Sequence, residues 1–356
     1  ADMNRPSRAA HNKWVIEQNE EHERSFLLQN ELRLKALSDG TFKGNEFSFE
    51  SMYGSGPMSG TLPLPPGVIV ENVVANLASS EIRSIEFSHA GEGRELAMGI
   101  AGILKGNKNI KVLKLRHTDA GNLACVALLR AAQEAHNLEE VDLTENEMGS
   151  GAAEALAYLL SSTSSIKRVD VSWNKGIGEI GLVAILRALA RGNASVTSLG
   201  LAGCTWGGGA RGSLAALEEM LVHNKTLQRL DLEHSGLGEE GGARLLAALR
   251  LNVAVREVRL HSCGLEGETR KEIEREAGVH SDRDLQWFHC LEKDVARTNV
   301  GRLADGLMAA ASAGDVGLAH TRAILDRLRA HPLHQKEGGG QALAAVLAPV
   351  IARVKG

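Results

Sequence analysis

Aromatic residues are scarce in this chain, 3% of 356, and no run of Lys or Arg disturbs the balance of 40 basic against 44 acidic residues. A nucleic-acid surface needs stacking rings and a basic stripe, so no nucleic-acid partner is expected. The net charge of -4 leaves electrostatic recognition to local patches. No apolar stretch approaches the roughly 20 residues that cross a bilayer, and the opening "ADMNRPSRAAHNKW" has basic residues without the apolar core of a secretory signal. Membrane insertion is not expected.

Cysteine is sparse as well. Cys125, Cys204, Cys263 and Cys290 are widely spaced, with no CxxC pair and no tight Cys/His cluster, which argues against a zinc site or a disulfide framework. Reduced thiols in an intracellular compartment fit best. Asn193-Ala-Ser and Asn224-Lys-Thr match the glycosylation triplet, a pattern common by chance and at odds with free thiols. GxxxxGK[ST], HExxH, GxSxG, an EF-hand loop and the deaminase CxxC signature are all missing. Gly54, Gly56 and Gly60 have the wrong spacing for a phosphate loop, and Pro57 interrupts them. No cofactor, metal or small-molecule substrate is expected.

What the chain does have is a repeat. The pattern apolar-x-x-apolar-x-apolar occurs at Ile82/Ile85/Phe87, Ile110/Leu113/Leu115, Leu138/Val141/Leu143, Ile166/Val169/Val171, Val196/Leu199/Leu201, Leu227/Leu230/Leu232 and Val255/Val258/Leu260. The starts are 28, 28, 28, 30, 31 and 28 residues apart. Eight residues after each start stand Ala90, Thr118, Asn146, Asn174, Cys204, Ser235 and Cys263. Most of these carry a small hydrogen-bonding side chain, suited to satisfying backbone carbonyls where a strand turns sharply inside a stack. Thr118, Asn146, Asn174, Cys204, Ser235 and Cys263 are therefore expected to form a structural turn ladder. Each strand is followed by a Gly-containing turn and an Ala/Leu-rich run with apolar residues three and four apart, as in "GAAEALAYLLSS". A strand-turn-helix unit of this size must stack on its neighbours to bury its apolar face.

In "LEEVDLTENEMGSGAAEALAYLL" and "LQRLDLEHSGLGEEGGARLLAAL" the chain resembles leucine-rich repeat proteins of the ribonuclease-inhibitor type. The resemblance covers about residues 66 to 276, with "GVIVENVVANLASS" as the helical half of an incomplete first repeat. It implies an α/β horseshoe solenoid, a parallel concave sheet backed by convex helices, and a role in binding other macromolecules. The 30- and 31-residue repeats place their extra residues in "SWNKGIG" and "GCTWGGGARGS", so the loops around Trp173 and Trp206 are expected to protrude, either as contacts or as tolerated insertions.

Helical extensions flank the repeats. Residues 12 to 38 read as one helix, amphipathic mainly in its second half, with Ile16, Leu27, Leu34 and Leu37 on the apolar side. Residues 38 to 67 read as an extended linker whose Phe42, Phe47, Phe49 and Tyr53 lie along a surface of this protein or of another. After the repeats, "DRDLQWFHCLEKDVAR", "LAHTRAILDRLRA" and "QALAAVLAPVIARVKG" read as three helices that cap the array or dock on a partner. The expected divisions are 1 to 65, 66 to 276 and 277 to 356.

The residues expected to stand most exposed on the sheet are the fourth after each start: Glu86, Lys114, Asp142, Asp170, Gly200, Asp231 and Arg259. Asp142 and Asp170 lie on consecutive strands, about 4.8 Å apart, and such a carboxylate pair could share a proton as the acid and base of a hydrolase. An open sheet has no deep pocket to exclude water, and Lys114, Arg116, Arg168, Arg229 and Arg259 offer cross-strand partners. The acidic stripe with basic borders favours a protein ligand of complementary charge. His89 and His117 recur in adjacent repeats and read as surface histidines, since no third metal ligand matches them. Trp173, at the rim, is either a hot spot or packed on its own loop.

The expected function is non-catalytic: a scaffold or adaptor, a subunit of a larger assembly, binding other proteins through Lys114, Arg116, Asp142, Asp170, Trp173, Trp206, Asp231 and Arg259. The rivals are a reversible regulator of a GTPase-, actin- or receptor-type partner, and the hydrolase. The expected location is intracellular, cytoplasmic or cytoskeletal and ciliary, with organellar import left open because the chain begins with Ala.

Overall fold

The computed structural model describes residues 28–50, 64–79, 81–206, 211–252 and 254–277. The chain divides into two units, residues 1–148 and 149–356. Among the described residues no helix is long and apolar enough to cross a membrane. The C-terminal helices read from sequence, and residues 12–27 of the N-terminal one, lie outside the described residues.

The first unit runs α1 (28–38), β1 (Glu46–Glu50), α2 (Val70–Ser79), β2 (Ser84–Ser88), α3 (Gly93–Leu104), β3 (Val112–Arg116), α4 (Gly121–Ala132) and β4 (Glu140–Asp142). Its four strands are parallel and pair in chain order. Each strand sends alternate residues inward, so Ile85 and Phe87, Leu113 and Leu115, and Val141 are buried against the helices. The stretch read as a linker contains the first of these strands. Phe47 and Phe49 of β1 stand in register with Ile85 and Phe87, and the Phe47 ring lies 5.3 Å from that of Phe87. Phe47 and Phe49 thus occupy rungs that mostly aliphatic residues fill in the later strands. On α1, Leu34 and Leu37 are buried, and Asn76 of α2 donates its amide to the Leu37 and Ser38 carbonyls at 2.8 and 3.2 Å. Those carbonyls end a helix and lack intrahelical partners, so the bond ties α1 to α2.

The second unit runs α5 (Ser150–Ser162), β5 (Arg168–Asp170), a 3-10 turn (Lys175–Ile177), α6 (Gly178–Ala190), β6 (Ser198–Gly200), α7 (Arg211–His223), β7 (Arg229–Asp231), α8 (Gly238–Leu251), β8 (Glu257–Arg259) and α9 (267–277). Strands β5 to β8 are parallel and pair in chain order. The extra residues after Trp173 are taken up by the 3-10 turn, where Ile177 is buried and holds the turn against the core. They do not protrude as a free loop.

The turn after each strand has one recurring geometry. His89, His117, Glu145, Trp173, Gly203, His234 and Ser262, each seventh from its repeat start, all have φ between +49° and +66°. For a residue with a Cβ this left-handed conformation costs about 1 kcal/mol. The next residue offsets it. Asn146 donates to the Leu115 and Thr144 carbonyls at 2.5 and 2.9 Å, and Asn174 to the Val171 and Ser172 carbonyls at 2.9 and 3.1 Å. Cys204 Sγ reaches the Val171 carbonyl at 3.6 Å and Cys263 Sγ the Leu232 carbonyl at 2.8 Å. Thr118 donates to Asn146 Oδ1, and Ser235 to Cys263 Sγ. All six side chains are buried.

A second ladder sits at the opposite turns, from helix into strand. Asn193, Asn224 and Asn252 each donate to a carbonyl of the preceding repeat, at 2.8, 2.9 and 2.6 Å, and each accepts two backbone N–H groups with Oδ1. Asn107 accepts the Asn109 and Ile110 amides in the same way. The two glycosylation triplets therefore have a structural origin: their Asn side chains are buried and fully engaged.

The candidate partner-binding face

The outward side of each sheet carries the charged residues, and the first unit's side is closed on itself. Lys114 of β3 stands between Glu86 of β2 and Glu140 of β4, with Nζ 3.0 and 3.1 Å from their carboxylates. Burial alone would lower the Lys114 pKa, but the hydrogen bonds to Glu86 and Glu140 outweigh it and raise it. Asp142 accepts Arg116 Nε at 2.5 Å, the Thr144 amide at 3.0 Å and the Thr144 hydroxyl at 2.7 Å. It is only 6% exposed, so the position expected to be a free acid or base is a buried anchor of its own turn. His117 is buried too and is not a surface histidine. Its Nδ1 lies 2.8 Å from Glu145, and its ring packs 4.5 Å from that of His89.

The second unit's side is laid out differently. Asp170, Gly200, Asp231 and Arg259 stand in register across β5 to β8, with Arg168, Ser198, Arg229 and Glu257 in the row before them. Gly200 occupies the place that Lys114 has in the first unit, and with no cation between them Asp170 and Asp231 are set apart by bare backbone. The Asp170 carboxylate leans into the vacated space, 2.4 Å from where a Cβ on Gly200 would stand, and accepts the Ser172 amide at 2.9 Å. Asp231 accepts the Glu233 amide and lies 3.7 Å from Arg259. Burial raises its pKa above the ordinary carboxylate value, against the opposing effect of the Glu233 amide. Arg229 and Arg259 both reach Glu257, at 3.5 and 3.0 Å, and their side chains are 67% and 59% exposed. Asp170, Gly200, Arg229, Asp231 and Arg259 line an open hollow of about 130 Å³.

The two tryptophans diverge. Trp173 is 41% exposed; its ring packs 5.1 Å from His234, which meets His261 edge-on at 5.5 Å. Trp206 is 2% exposed, and its indole N–H has no hydrogen-bond partner among the described residues. As an apolar surface of about 200 Å² it is worth more inside the core than out, so it is no exposed contact. The thiols are packing residues: Cys125, Cys204 and Cys263 are free and buried, and burial pushes the pKa of Cys125 and Cys204 up to about 12. Among the described residues no group of three His, Cys, Asp or Glu side chains is placed to hold a metal ion.

Of the residues singled out from sequence, the second unit brings Asp170, Asp231 and Arg259 to one accessible face, with Trp173 at its rim. In the first unit Lys114 is engaged by Glu86 and Glu140, and Arg116 and Asp142 by each other. Sequence reading missed the Asn ladder, although an Asn three residues before each of four repeat starts was there to be seen.

The family model for Leucine Rich repeat matches residues 134–157, 164–186 and 223–246. Ribonuclease inhibitor of Sus scrofa is 25% identical over 50% of the chain and 44% of its own length. Rho GTPase-activating protein gacW of Dictyostelium discoideum is 23% identical over 51% of the chain and 17% of its own. NACHT, LRR and PYD domains-containing protein 3 of Bos taurus is 25% identical over 58% and 20%. The chain spans less than half the length of each of these relatives.

Proposed function

Because the chain is a leucine-rich repeat protein of the ribonuclease-inhibitor type, a class that generally binds proteins and is generally non-catalytic, we propose that it is a scaffold or adaptor subunit of a larger assembly. The observation that carries the reading is the contrast on the sheet of the second unit, where two exposed guanidinia, two separated carboxylates and a half-exposed Trp share one open face. Asp142, one half of the carboxylate pair, has its oxygens committed to Arg116 and Thr144. Exposed Arg and Trp in a setting of mixed charge are the residue types that anchor protein interfaces. Three buried free thiols are in keeping with a reducing, intracellular location.

The likeness to a Rho GTPase-activating protein favours a second reading, a reversible regulator that binds its target through the same face. Gentle co-purification from the cells that make the protein separates the two. A stoichiometric partner set that survives washing, and that falls at least tenfold in an Arg229→Glu/Arg259→Glu variant, is the scaffold outcome. A partner lost at moderate salt is the regulator outcome, because steering by exposed charge is screened over about 10 Å at 0.1 M. A lone monomer under all conditions removes the assembly reading, and undiminished capture by the double variant removes this face.

A further inference from the structure

Each strand of the second unit meets its follower through the same set of backbone bonds. The carbonyl one residue after a repeat start accepts two amides of the next strand: Lys167 from Thr197 and Ser198, Thr197 from Gln228 and Arg229, Gln228 from Arg256 and Glu257, all at 2.8 to 3.1 Å. Two amides per coil answer in the other direction, each to a carbonyl of the next strand. Val171, Leu201 and Leu232 do so at 2.9 to 3.1 Å, and Trp173, Gly203 and His234 at 2.6 to 2.8 Å. β8 ends this series. Among the described residues its Arg256 carbonyl and its Leu260 and Ser262 amides have no such partner.

An edge with its donors and acceptors in place is a template for one more strand. This one asks for apolar residues three and five positions after a start, a small hydrogen-bonding residue at eight, and no Pro at one or two. The sequence following α9 has that pattern. Counted from Asp282, Leu285 and Trp287 fall at the inward sites and Cys290 at the turn ladder, where Cys204 and Cys263 stand in earlier coils, and "DRDLQWFHC" contains no Pro. Asp282 lies 27 residues after Val255, against 28 to 31 between the other starts. The reach fits too. Six residues carry the chain from His223 to Arg229 and eight from Ala190 to Ser198, and Asp284, the first strand position, is seven beyond residue 277. Asp282 replaces the first apolar residue, as Gly44 does in the coil of β1, and a terminal coil departs most readily from its repeat. Asp284 falls opposite Glu257, but Arg259 is diagonal to it and of opposite sign.

We propose that residues 282–290 of the chain dock on the free edge of β8 in parallel register, with Arg283 and Asp284 donating to the Arg256 carbonyl, and Leu260 and Ser262 donating to the Gln286 and Phe288 carbonyls. The segment lengthens the outward face by one strand and closes an edge on which another chain could pair. It also sets Cys290 beside Cys263. Ladder residues of neighbouring coils touch, Thr118 with Asn146 at 2.7 Å and Ser235 with Cys263 at 3.5 Å, and strands about 4.8 Å apart bring two Cα atoms within the span of a disulfide.

Diamide, which takes up the two thiol hydrogens, should therefore join Cys263 to Cys290 when added to the full reduced chain, read as the linked peptide by mass spectrometry. His289→Cys/Cys290→Ser, which moves the thiol to the outward position of His234, should give at least tenfold less. In amide exchange, the Leu260 and Ser262 N–H groups should be slowed about a hundredfold relative to a Leu285→Asp/Trp287→Asp variant of the full chain. Equal cross-linking from both thiol positions, or none from Cys290, overturns the register. Leu260 and Ser262 amides that exchange freely in the parent, or that stay protected in the variant, overturn the docking, and protection that fades on dilution overturns it in favour of a second copy of the chain.

Discussion

The two units build the same strand-turn-helix coil and use its outward face in different ways. In the first, acid and base alternate across the strands, Glu86 to Lys114 to Glu140 and Arg116 to Asp142, and each charge is answered by the next strand. In the second, Gly200 stands where the middle cation would be, and the row breaks into Asp170 on one side and Asp231 with Arg259 on the other. Cross-strand neighbours about 5 Å apart decide which happens, because alternating signs let each strand answer the next, and a glycine in the row interrupts that alternation. A side chain's identity therefore says little about its role until its neighbours on both strands are known.

Asp142 and Asp231 put this contrast to its largest test. Asp142→Ala removes one acceptor from Arg116 and the acceptor shared by both Thr144 donors, and is expected to cost about 2 kcal/mol, below the figure for a fully buried pair because Arg116 is partly exposed. Asp231→Ala should stay within about 0.5 kcal/mol. Urea melts of the two variants decide it: equal losses would erase the distinction between the faces.

The Asn ladder gives an effect of similar origin that should be alike within the second unit. Asn224→Ala strands the Thr226 and Leu227 amides and the Leu189 carbonyl, at a cost of about 1 to 3 kcal/mol. Asn193→Ala should match it. When the folded chain is offered to an oligosaccharyltransferase, neither Asn should be modified; glycan at either one would show that the turn opens.

Trp206 belongs to the core side of the comparison and Trp173 to the exposed side. Trp206→Phe removes a buried N–H that has no acceptor among the described residues and keeps a large ring, so it should shift stability by less than about 1.5 kcal/mol in either direction. Trp206→Ala, which leaves a cavity, should lose about 3 to 5 kcal/mol. Thermal melts that ranked Phe and Ala together would place Trp206 outside the core.

The repeats could be read from sequence because inward residues recur every 28 to 31 positions, as β2 to β8 do. β1 escaped that reading for two physical reasons. Phe47 pairs with Ile85, 38 positions on, so a longer connection breaks the period, and the first apolar site of its pattern is Gly44. The charged face was less legible than the frame. "VDLT" and "VDVS" look equivalent, yet Asp142 is buried beside Arg116 while Asp170 leans over Gly200. Trp206 was misplaced because an insertion suggests a protruding loop, whereas an indole gains most by turning inward. Asn193 and Asn224 resembled modification sites because the turn they cap places Ser195 and Thr226 two residues on, within hydrogen-bond reach of the amides.

The smallest effect separates the faces by pH. Burial holds the Asp231 carboxyl above its ordinary value, so the folded chain binds that proton more tightly than the unfolded one. The ionised group then costs stability at neutral pH, and the cost disappears as pH falls through the raised value towards the unfolded one of 3.8. Asp231→Asn removes the titration while keeping an acceptor for the Glu233 amide. It should therefore melt slightly above the parent at pH 7, by less than about 1 kcal/mol since the group is partly exposed, and the gap should close near pH 3.5. A variant that melts below its parent at pH 7 would mean that Arg259 binds Asp231 as firmly as Arg116 binds Asp142, and the second face would then be as closed as the first.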